Sequence, residues 1–211
     1  MRRFLLVAFL FFLIFFLFSS CSRKSETPPE KAETEAAASD SATEVYNSLF
    51  KSLLEDLKES DHFKALEKVN AIRDKIWEEA PLLLANVRLV KGQNNTYGVY
   101  EPEEDDVYSE GETIYLYLEP SGYNIIMNEA GFYEFRFLAD FQLVAENGEI
   151  LGGQERFADL PFKSWHPNKE VAITFNYNFS GLPAGRYKII TTVYDANSDK
   201  KAAAETWVTI Q

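Results

Sequence analysis

The stretch LPAGRYKIITTVYDANSDKKAAAETWVTI, residues 182–210, decides the fold of this chain. Within it, Ile189, Thr191 and Val193 fall at the two-residue spacing of one strand face. A turn-forming segment at residues 195–199 follows, rich in Asp, Asn and Ser. The stretch therefore predicts two adjacent antiparallel strands, at residues 186–194 and 203–210.

The same strand-like pattern extends upstream to Leu84, with Gly, Pro, Asn and Asp between the segments. In one segment Ile114, Leu116 and Leu118 fall on a single face, and Asn147-Gly148 is typical of a type I′ hairpin turn. The upstream predicted strands are a segment around Val87 and Leu89 and the ranges 112–119, 132–145, 149–157 and 171–179. Short strands without intervening helices favour an antiparallel β-sandwich over a parallel sheet.

The turn Leu182-Pro183-Ala184-Gly185-Arg186-Tyr187 resembles the tyrosine corner of immunoglobulin-like and fibronectin-type β-sandwiches. In those folds a tyrosine opening the penultimate strand bonds back to the connection between the sheets. The resemblance implies that Tyr187 is this structural residue and that residues 82–211 form an Ig-like sandwich. Cys21 is the only cysteine, which excludes the disulfide-linked antibody type. Such folds carry many unrelated functions, so the resemblance implies no activity.

Two helical segments precede the strands. Ser41-Ala42-Thr43-Glu44 has capping-box spacing, Ser60-Asp61 offers a second cap, and Pro81 ends the second helix. The apolar residues at helical spacing are Tyr46, Leu49, Phe50, Leu53 and Leu57 in the first helix, and Leu66, Val69, Ile72 and Ile76 in the second. We expect a helical hairpin over residues 41–81, with its stripes packed on each other and on the sheet. It resembles half of a tetratricopeptide-type array, but it occurs once, whereas an array needs about three units.

The N-terminus has the order of a secretory signal. Met1-Arg2-Arg3 is followed by fifteen apolar residues, Phe4 to Phe18, and then by Ser19-Ser20-Cys21. Fifteen helical residues extend only ~22 Å, and a stable span must cross a hydrocarbon core of ~30 Å. The pattern therefore predicts a signal peptide at residues 1–20 rather than a transmembrane helix.

The residues Phe18-Ser19-Ser20-Cys21 resemble the lipobox of bacterial lipoproteins, although Phe18 stands where that motif usually has leucine. The resemblance implies cleavage before Cys21, a diacylglycerol thioether on its sulfur, and an acylated amino terminus. Ser22, where aspartate would mean inner-membrane retention, favours an exported protein at the periplasmic face of an outer membrane. The alternatives are an ordinary cleaved signal or a short uncleaved anchor. Residues 21–40 lack large apolar side chains and are expected to form a disordered tether.

The charge of the chain excludes one class of partner. The formal net charge is −12, and removal of Arg2 and Arg3 with the signal leaves 19 basic against 33 acidic residues, a net charge of −14. Runs of basic residues never exceed two, as at Arg23-Lys24 and Lys200-Lys201. Nucleic acid is therefore not an expected partner, because its phosphates require clustered basic side chains. The same charge repels anionic lipids, so we expect only the acyl chains to hold the domain at a membrane.

The sequence contains no recognisable catalytic motif. The two histidines, His62 and His166, lack other ligands at zinc spacing, and neither a Gly-x-Ser-x-Gly nor a phosphate-binding loop occurs. We expect no metal, no cofactor and no enzyme activity. The acidic run at residues 101–106 could supply oxygen ligands to Ca²⁺, but a solvated loop is the preferred interpretation because calcium-loop spacing is absent.

Two aromatic clusters are the candidates for recognition. Tyr115, Tyr117 and Tyr123 form one, and Phe157, Phe162 and Trp165 form the other. Flat amphipathic rings suit sugars or peptides, although core packing is the simpler interpretation. The predicted binding residues are Tyr115, Tyr117, Tyr123 and Trp165. The leading hypothesis is a non-enzymatic binding or assembly module for an envelope protein or a glycan; the alternatives are a chaperone-like accessory that offers a sheet edge, and an uncharacterised hydrolase.

Overall fold

The computed structural model describes residues 29–211, with side chains from Thr43 onward. The two helices are α1 (Pro29–Lys58) and α2 (His62–Glu79). The strands are β1 (Leu83–Val90), β2 (Val107–Tyr108), β3 (Thr113–Ser121), β4 (Ile126–Met127), β5 (Tyr133–Ala145), β6 (Ile150–Ser164), β7 (Ile173–Asn178), β8 (Gly185–Asp195) and β9 (Lys201–Ile210). The prediction of a mainly β chain with two preceding helices is confirmed.

Helix α1 begins earlier than the sequence predicts. It starts at Pro29, ahead of the predicted cap at Ser41, and so includes the second half of the predicted tether. Proline is favoured at the first helical position, and the Ala- and Glu-rich residues that follow have high helix propensity. The predicted signal peptide at residues 1–20 and the lipidation site Cys21 lie outside the described residues. Of the helices in the described chain, none is long and apolar enough to cross a membrane.

Helix α2 begins and ends where the sequence predicts, but its apolar stripe is not covered as expected. The Asp61 carboxylate accepts a hydrogen bond from the backbone N–H of Lys64, as an N-cap does, and the chain is extended at Ala80 before Pro81. Ile72 is buried, whereas the other three predicted stripe residues, Leu66, Val69 and Ile76, are exposed. The prediction that the whole stripe packs on α1 and the sheet is therefore wrong.

The strands form two sheets. The first is antiparallel in the order β1-β3-β7. The second has the order β2-β9-β8-β5-β4, with β6 also paired to β5, and it is antiparallel except for the short parallel pair β2-β9. Sequential strands such as β5 and β6 are adjacent, as short connections require.

The predicted hairpin at Asn147-Gly148 joins β5 to β6, but its turn is of another type. Gly148 has a φ of 89°, while Asn147 is not among the residues with positive φ. A type I′ turn needs positive φ at both central residues. The backbone bonds from Gly148 N to Ala145 O and from Ala145 N to Glu149 O, at 2.9 and 2.8 Å, instead fit a type I turn followed by a left-handed glycine. Strand β6 also runs beyond the predicted end at Phe157.

Both sheets contribute side chains to one hydrophobic core. Leu116 from the first sheet and Phe137, Ile189 and Val208 from the second are fully buried in the same cluster. Strand β8 alternates buried and half-buried residues along its length, as the opening stretch predicts. This core makes a rigid support for the loops at the ends of the strands, where recognition residues are usually carried.

Candidate binding surface

Trp165 is the most exposed aromatic residue of the predicted set, with 69% of its surface accessible. It directly follows β6, whose Ser164 pairs with Tyr133 in β5, so Trp165 lies opposite Phe132. The two rings are in contact, with centroids 4.1 Å apart, and the Lys163 ammonium lies 3.7 Å from the Phe132 centroid. A large apolar ring is therefore presented to solvent in a fixed orientation.

A cleft of about 520 Å³ opens beside Trp165. Its walls come from α2, from the end of β6 and from the loop that leads to β7; the lining residues are Arg73, Ser164, Trp165, His166, Pro167, Asn168, Lys169 and Glu170. An aromatic wall with a guanidinium and an amide nearby provides apolar contact area and directional polar contacts in one site. We call this site the Trp165 cleft.

The loop that forms the Trp165 cleft is held by hydrogen bonds from several elements. The Ser164 hydroxyl donates to His166 O at 2.5 Å, and the Tyr123 hydroxyl donates to Asn168 O at 2.8 Å. The Asn168 side chain accepts a bond from the Glu170 N–H at 2.9 Å. Because these bonds fix the backbone, ligand binding here does not have to order the loop first.

Two lysines attach α2 to the strand ends. The nearly buried Lys169 ammonium forms an ion pair with Asp74 of α2. The Lys200 ammonium donates to Glu78 O at 2.9 Å and to Gly122 O at 2.7 Å, so it satisfies a carbonyl at the C-terminal end of α2. These contacts position Arg73 of the same helix at the Trp165 cleft.

Aromatic packing completes the junction between α2 and the sheets. The Trp77 indole N–H donates to Tyr123 O at 2.7 Å, and the Trp77 and Tyr123 rings meet edge to face with centroids 5.0 Å apart. A second cleft of about 520 Å³ lies at this junction and shares Pro167 and Lys169 with the Trp165 cleft. The loop around Pro167 thus separates two adjoining depressions.

The predicted tyrosine cluster is largely buried. Tyr117 and Tyr123 are 0% and 1% exposed, so their rings are not presented on an open surface. Tyr123 packs against Phe135 and Phe137 in the core. Tyr115 is half-buried on β3. Strand alternation alone predicts one buried face for β3, but the loop that follows β1 covers part of its other face.

Tyr117 belongs to a buried network around Glu119. The Tyr117 hydroxyl donates to the Glu119 carboxylate at 2.5 Å, and the Asn86 amide donates to the same carboxylate at 2.6 Å. The backbone N–H of Gly98 lies 3.0 Å from the Tyr117 hydroxyl and 3.2 Å from Glu119 Oε1. The network ties the loop after β1 to β3.

The protonation states in this network follow from burial and hydrogen bonding. Burial alone would raise the pKa of Glu119, but the bonds donated by Tyr117, Asn86 and Gly98 outweigh it, so the pKa lies below its usual value of 4.5. Burial, together with the bond to Glu119, raises the pKa of Tyr117 to about 12. Near neutral pH the pair is therefore a phenol donating to a carboxylate.

Tyr187 has the hydrogen bond that the resemblance to a tyrosine corner implies. It is buried at the start of β8, and its hydroxyl donates to Pro183 O at 2.7 Å. The bond joins the strand to the connection that precedes it. Tyr187 therefore links the start of β8 to the turn before it.

The remaining candidate residues are the two histidines and the acidic run. His62 and His166 are both exposed, and within residues 29–211 no group of three or more potential ligands is placed to hold a metal ion. In the acidic run at residues 101–106, Glu101 forms an ion pair with Lys91 at 3.0 Å, and Asp105 accepts the N–H of Val107 at 3.1 Å. These contacts are those of a solvated loop.

Phe157 and Phe162 lie apart from the Trp165 cleft. Both are half-buried and line an apolar groove of about 270 Å³ between β6 and β7. Phe162 also stacks on Phe135 of the core, with centroids 5.1 Å apart. The predicted cluster of Phe157, Phe162 and Trp165 is therefore divided, because Trp165 lies beyond the end of β6, in the loop that leads to β7.

Sequence reasoning missed the polar residues around Trp165. Arg73, Asn168 and Lys169 come from distant segments and have no motif spacing. Asp195, 2% exposed, was also missed; it accepts the N–H groups of Asn124 and Asn197 at 2.8 and 3.0 Å and so joins two loops. The only available signal was an Asp-Ala-Asn-Ser turn, which predicts local bonds but not the contact with residue 124.

Comparisons with known proteins identify no relative. No family model and no curated protein matches the chain. Among solved structures, the sporulation control protein Spo0M from Bacillus subtilis has a TM-score of 0.33 and 9% identity, over 63% of this chain and 50% of that one. The Pseudomonas fluorescens alkylpurine DNA glycosylase AlkC, bound to DNA with an abasic site analogue, has a TM-score of 0.30 and 12% identity, over 63% and 31%. This chain thus spans half or less of the length of these two structures, and likeness at this level carries no argument about function.

Proposed function

We propose that this chain is a lipid-anchored, non-enzymatic binding module of the cell envelope that recognises a glycan through the Trp165 cleft. The exposure of Trp165, at 69% on a preorganised loop, carries the proposal. An exposed indole costs solvation free energy unless a ligand covers it, and aromatic residues are enriched where proteins bind partners. Arg73 and Asn168 supply the polar contacts that sugar hydroxyls or carboxylates require.

The strand order supports an Ig-like β-sandwich as the carrier of this site. A three-stranded sheet, β1-β3-β7, contributes to the same core as a sheet in which β9, β8, β5 and β6 are successive neighbours. Immunoglobulin constant-type domains place their first, second, fourth and fifth strands opposite their third, sixth and seventh. With the short β2 and β4 set aside, this chain has the same division except for its fourth strand, β6, which pairs with β5 in the sheet of the third, sixth and seventh strands. The Tyr187 hydrogen bond to Pro183 O is that expected of a tyrosine corner.

Lipid anchoring is the second part of the proposal and rests on the lipobox-like residues at Cys21. Mass spectrometry of the native protein tests it: a cleaved N-terminal Cys21 carrying acyl mass is expected. A Cys21→Ser variant should leave the membrane fraction. An unmodified Cys21 or a retained leader in the native protein would contradict the anchor but not the binding site.

A matched pair of tryptophan variants tests the glycan site. Soluble neutral and carboxylate-bearing oligosaccharides are titrated into the full chain by calorimetry. Trp165→Ala should weaken binding at least about tenfold, whereas Trp207→Ala, on β9, should not change it. Equal affinities for the two variants, or no oligosaccharide binding by the unaltered chain, would refute glycan recognition at this cleft. Binding of an envelope protein that depends on Trp165 would instead assign the cleft to a protein ligand.

One observation favours the alternative of a sheet-edge accessory. Among the described strands β7 pairs only with β3, and the apolar groove lined by Phe157 and Phe162 runs beside its free edge. On β6, in contrast, Arg156 has a φ of 49° and Pro161 lacks an N–H, features that discourage edge pairing. Hydrogen exchange tests this alternative, because a bound strand would protect the amides on the free edge of β7.

A further inference from the structure

An apolar face of the helical hairpin is exposed on both helices. Seven large side chains, between 46% and 74% exposed, form it: Phe50, Leu54, Leu57, Phe63, Leu66, Val69 and Ile76. In the part of the chain that the structure describes, nothing covers them. Monomeric soluble proteins rarely expose contiguous apolar patches of more than a few hundred Å².

The spacing of these residues places them along one face of each helix. Leu66, Val69 and Ile76 of α2 follow a three- and seven-residue spacing, and Phe50, Leu54 and Leu57 of α1 a four- and three-residue spacing. On α2 this face borders the buried Ala65 and Ile72. Each helix therefore keeps an apolar face that the rest of the described chain leaves exposed, and in a four-helix bundle such faces pack on neighbouring helices.

We propose that this face is the interface between two copies of this chain, whose hairpins pair to form a four-helix bundle. A large apolar side chain that is about half exposed offers roughly 100 Å² for burial, so seven offer roughly 700 Å² per copy. A standard stable interface buries about 800 Å² per partner. The exposed face is close to the size that a stable homodimer requires.

Charge selects a second copy over a lipid surface as the occupant. Residues 49–81 carry six basic and eight acidic side chains, a net charge of −2, while the whole chain carries −12. Electrostatic repulsion between two hairpins is therefore weak, whereas the rest of each chain is strongly acidic. A helix that lies on an anionic bilayer needs an excess of Lys and Arg around its apolar face, which this hairpin does not have.

Sedimentation velocity of the full chain tests the interface, in a mild detergent and between about 1 and 100 µM. The unaltered chain should form a concentration-dependent dimer. Leu66→Glu should raise the dissociation constant at least about a hundredfold, because it places a charge in the bundle. Leu151→Glu makes the same change at a position that is 44% exposed on β6 and should leave the dimer intact.

The outcomes separate this interface from other causes of association. If the unaltered chain stays monomeric throughout the concentration range, the proposal is overturned. It is also overturned by a dimer that persists in Leu66→Glu, which would place association elsewhere, or by one that is lost in Leu151→Glu. If circular dichroism shows that Leu66→Glu has lost helix, Phe63→Ser, at the most exposed of the seven positions, takes its place with the same expected result.

Discussion

Replacing Gly122 with alanine should loosen the junction between α2 and the sheets. Gly122 has a φ of 79°, and a Cβ at this position would lie 2.3 Å from Pro81 O and 3.4 Å from Ala80 Cβ. The nearest obstacle is backbone, which cannot rotate away. The end of α2 and the start of β1 must therefore move apart from the loop after β3, and the Lys200 bond to Gly122 O is disturbed with them.

The magnitude follows from two separable costs. An alanine held at positive φ costs about 1 kcal/mol relative to glycine. Overpacking against a rigid neighbour adds about 1–3 kcal/mol. Gly122→Ala should therefore lower the free energy of unfolding by about 2–4 kcal/mol. Gly111 has a similar φ of 75°, with nothing within 4 Å of its Cβ position, so Gly111→Ala should cost only the first term.

Urea-induced unfolding of the two variants and the unaltered chain measures this difference. Hydrogen exchange adds a local readout, in which Gly122→Ala should increase exchange at the C-terminal end of α2 and Gly111→Ala should not. Equal destabilisation by the two substitutions would refute the reasoning, since it would mean that the approach of Pro81 to Gly122 contributes nothing.

Three further substitutions test the buried polar contacts. Tyr187→Phe removes the 2.7 Å bond to Pro183 O and should lower the free energy of unfolding by about 1 kcal/mol in urea. Because the pKa of Glu119 is lowered in the folded state, the Glu119 carboxylate contributes its full stabilisation above pH 4.5 and loses it as the pH falls below that value. In unfolding curves measured over a series of pH values, Glu119→Gln should therefore reduce the loss of stability in acid. Asp74→Ala leaves the nearly buried Lys169 ammonium unpaired and should lower the free energy of unfolding by about 3 kcal/mol. Lys169→Met leaves only a half-exposed carboxylate and should lower it by less than about 1 kcal/mol. If thermal unfolding gave the reverse order, the ion pair would not have the role assigned to it.

The sequence predicted the helices and strands better than it predicted what packs around their side chains. The cap at Asp61 and the alternation in β8 depend on neighbours a few residues away, so a local pattern is sufficient to predict them. The start of α1 and the type of turn at Asn147-Gly148 were predicted wrongly. In both cases the residues are compatible with more than one local conformation, and the sequence motif favoured the wrong one.

Burial of individual side chains required the tertiary structure. Tyr117 and Trp165 are both aromatic residues in strand-rich segments, yet one is fully buried beneath the loop after β1 and the other is exposed beside a cleft. Nothing in their flanking residues distinguishes them. The difference depends on which distant segment packs over each ring.

The sequence by itself determined the strand periodicity, the presence of two helices, the acidic charge and the lipobox-like pattern of the N-terminus, because each depends on composition or on contacts between near neighbours. Only the tertiary structure decided that Arg73 and Trp165 share a cleft, that Glu119 is buried, and that most of the stripe on α2 is left exposed. These features arise where segments far apart in the chain meet, and the relative position of such segments is set by packing of the whole core rather than by any local pattern.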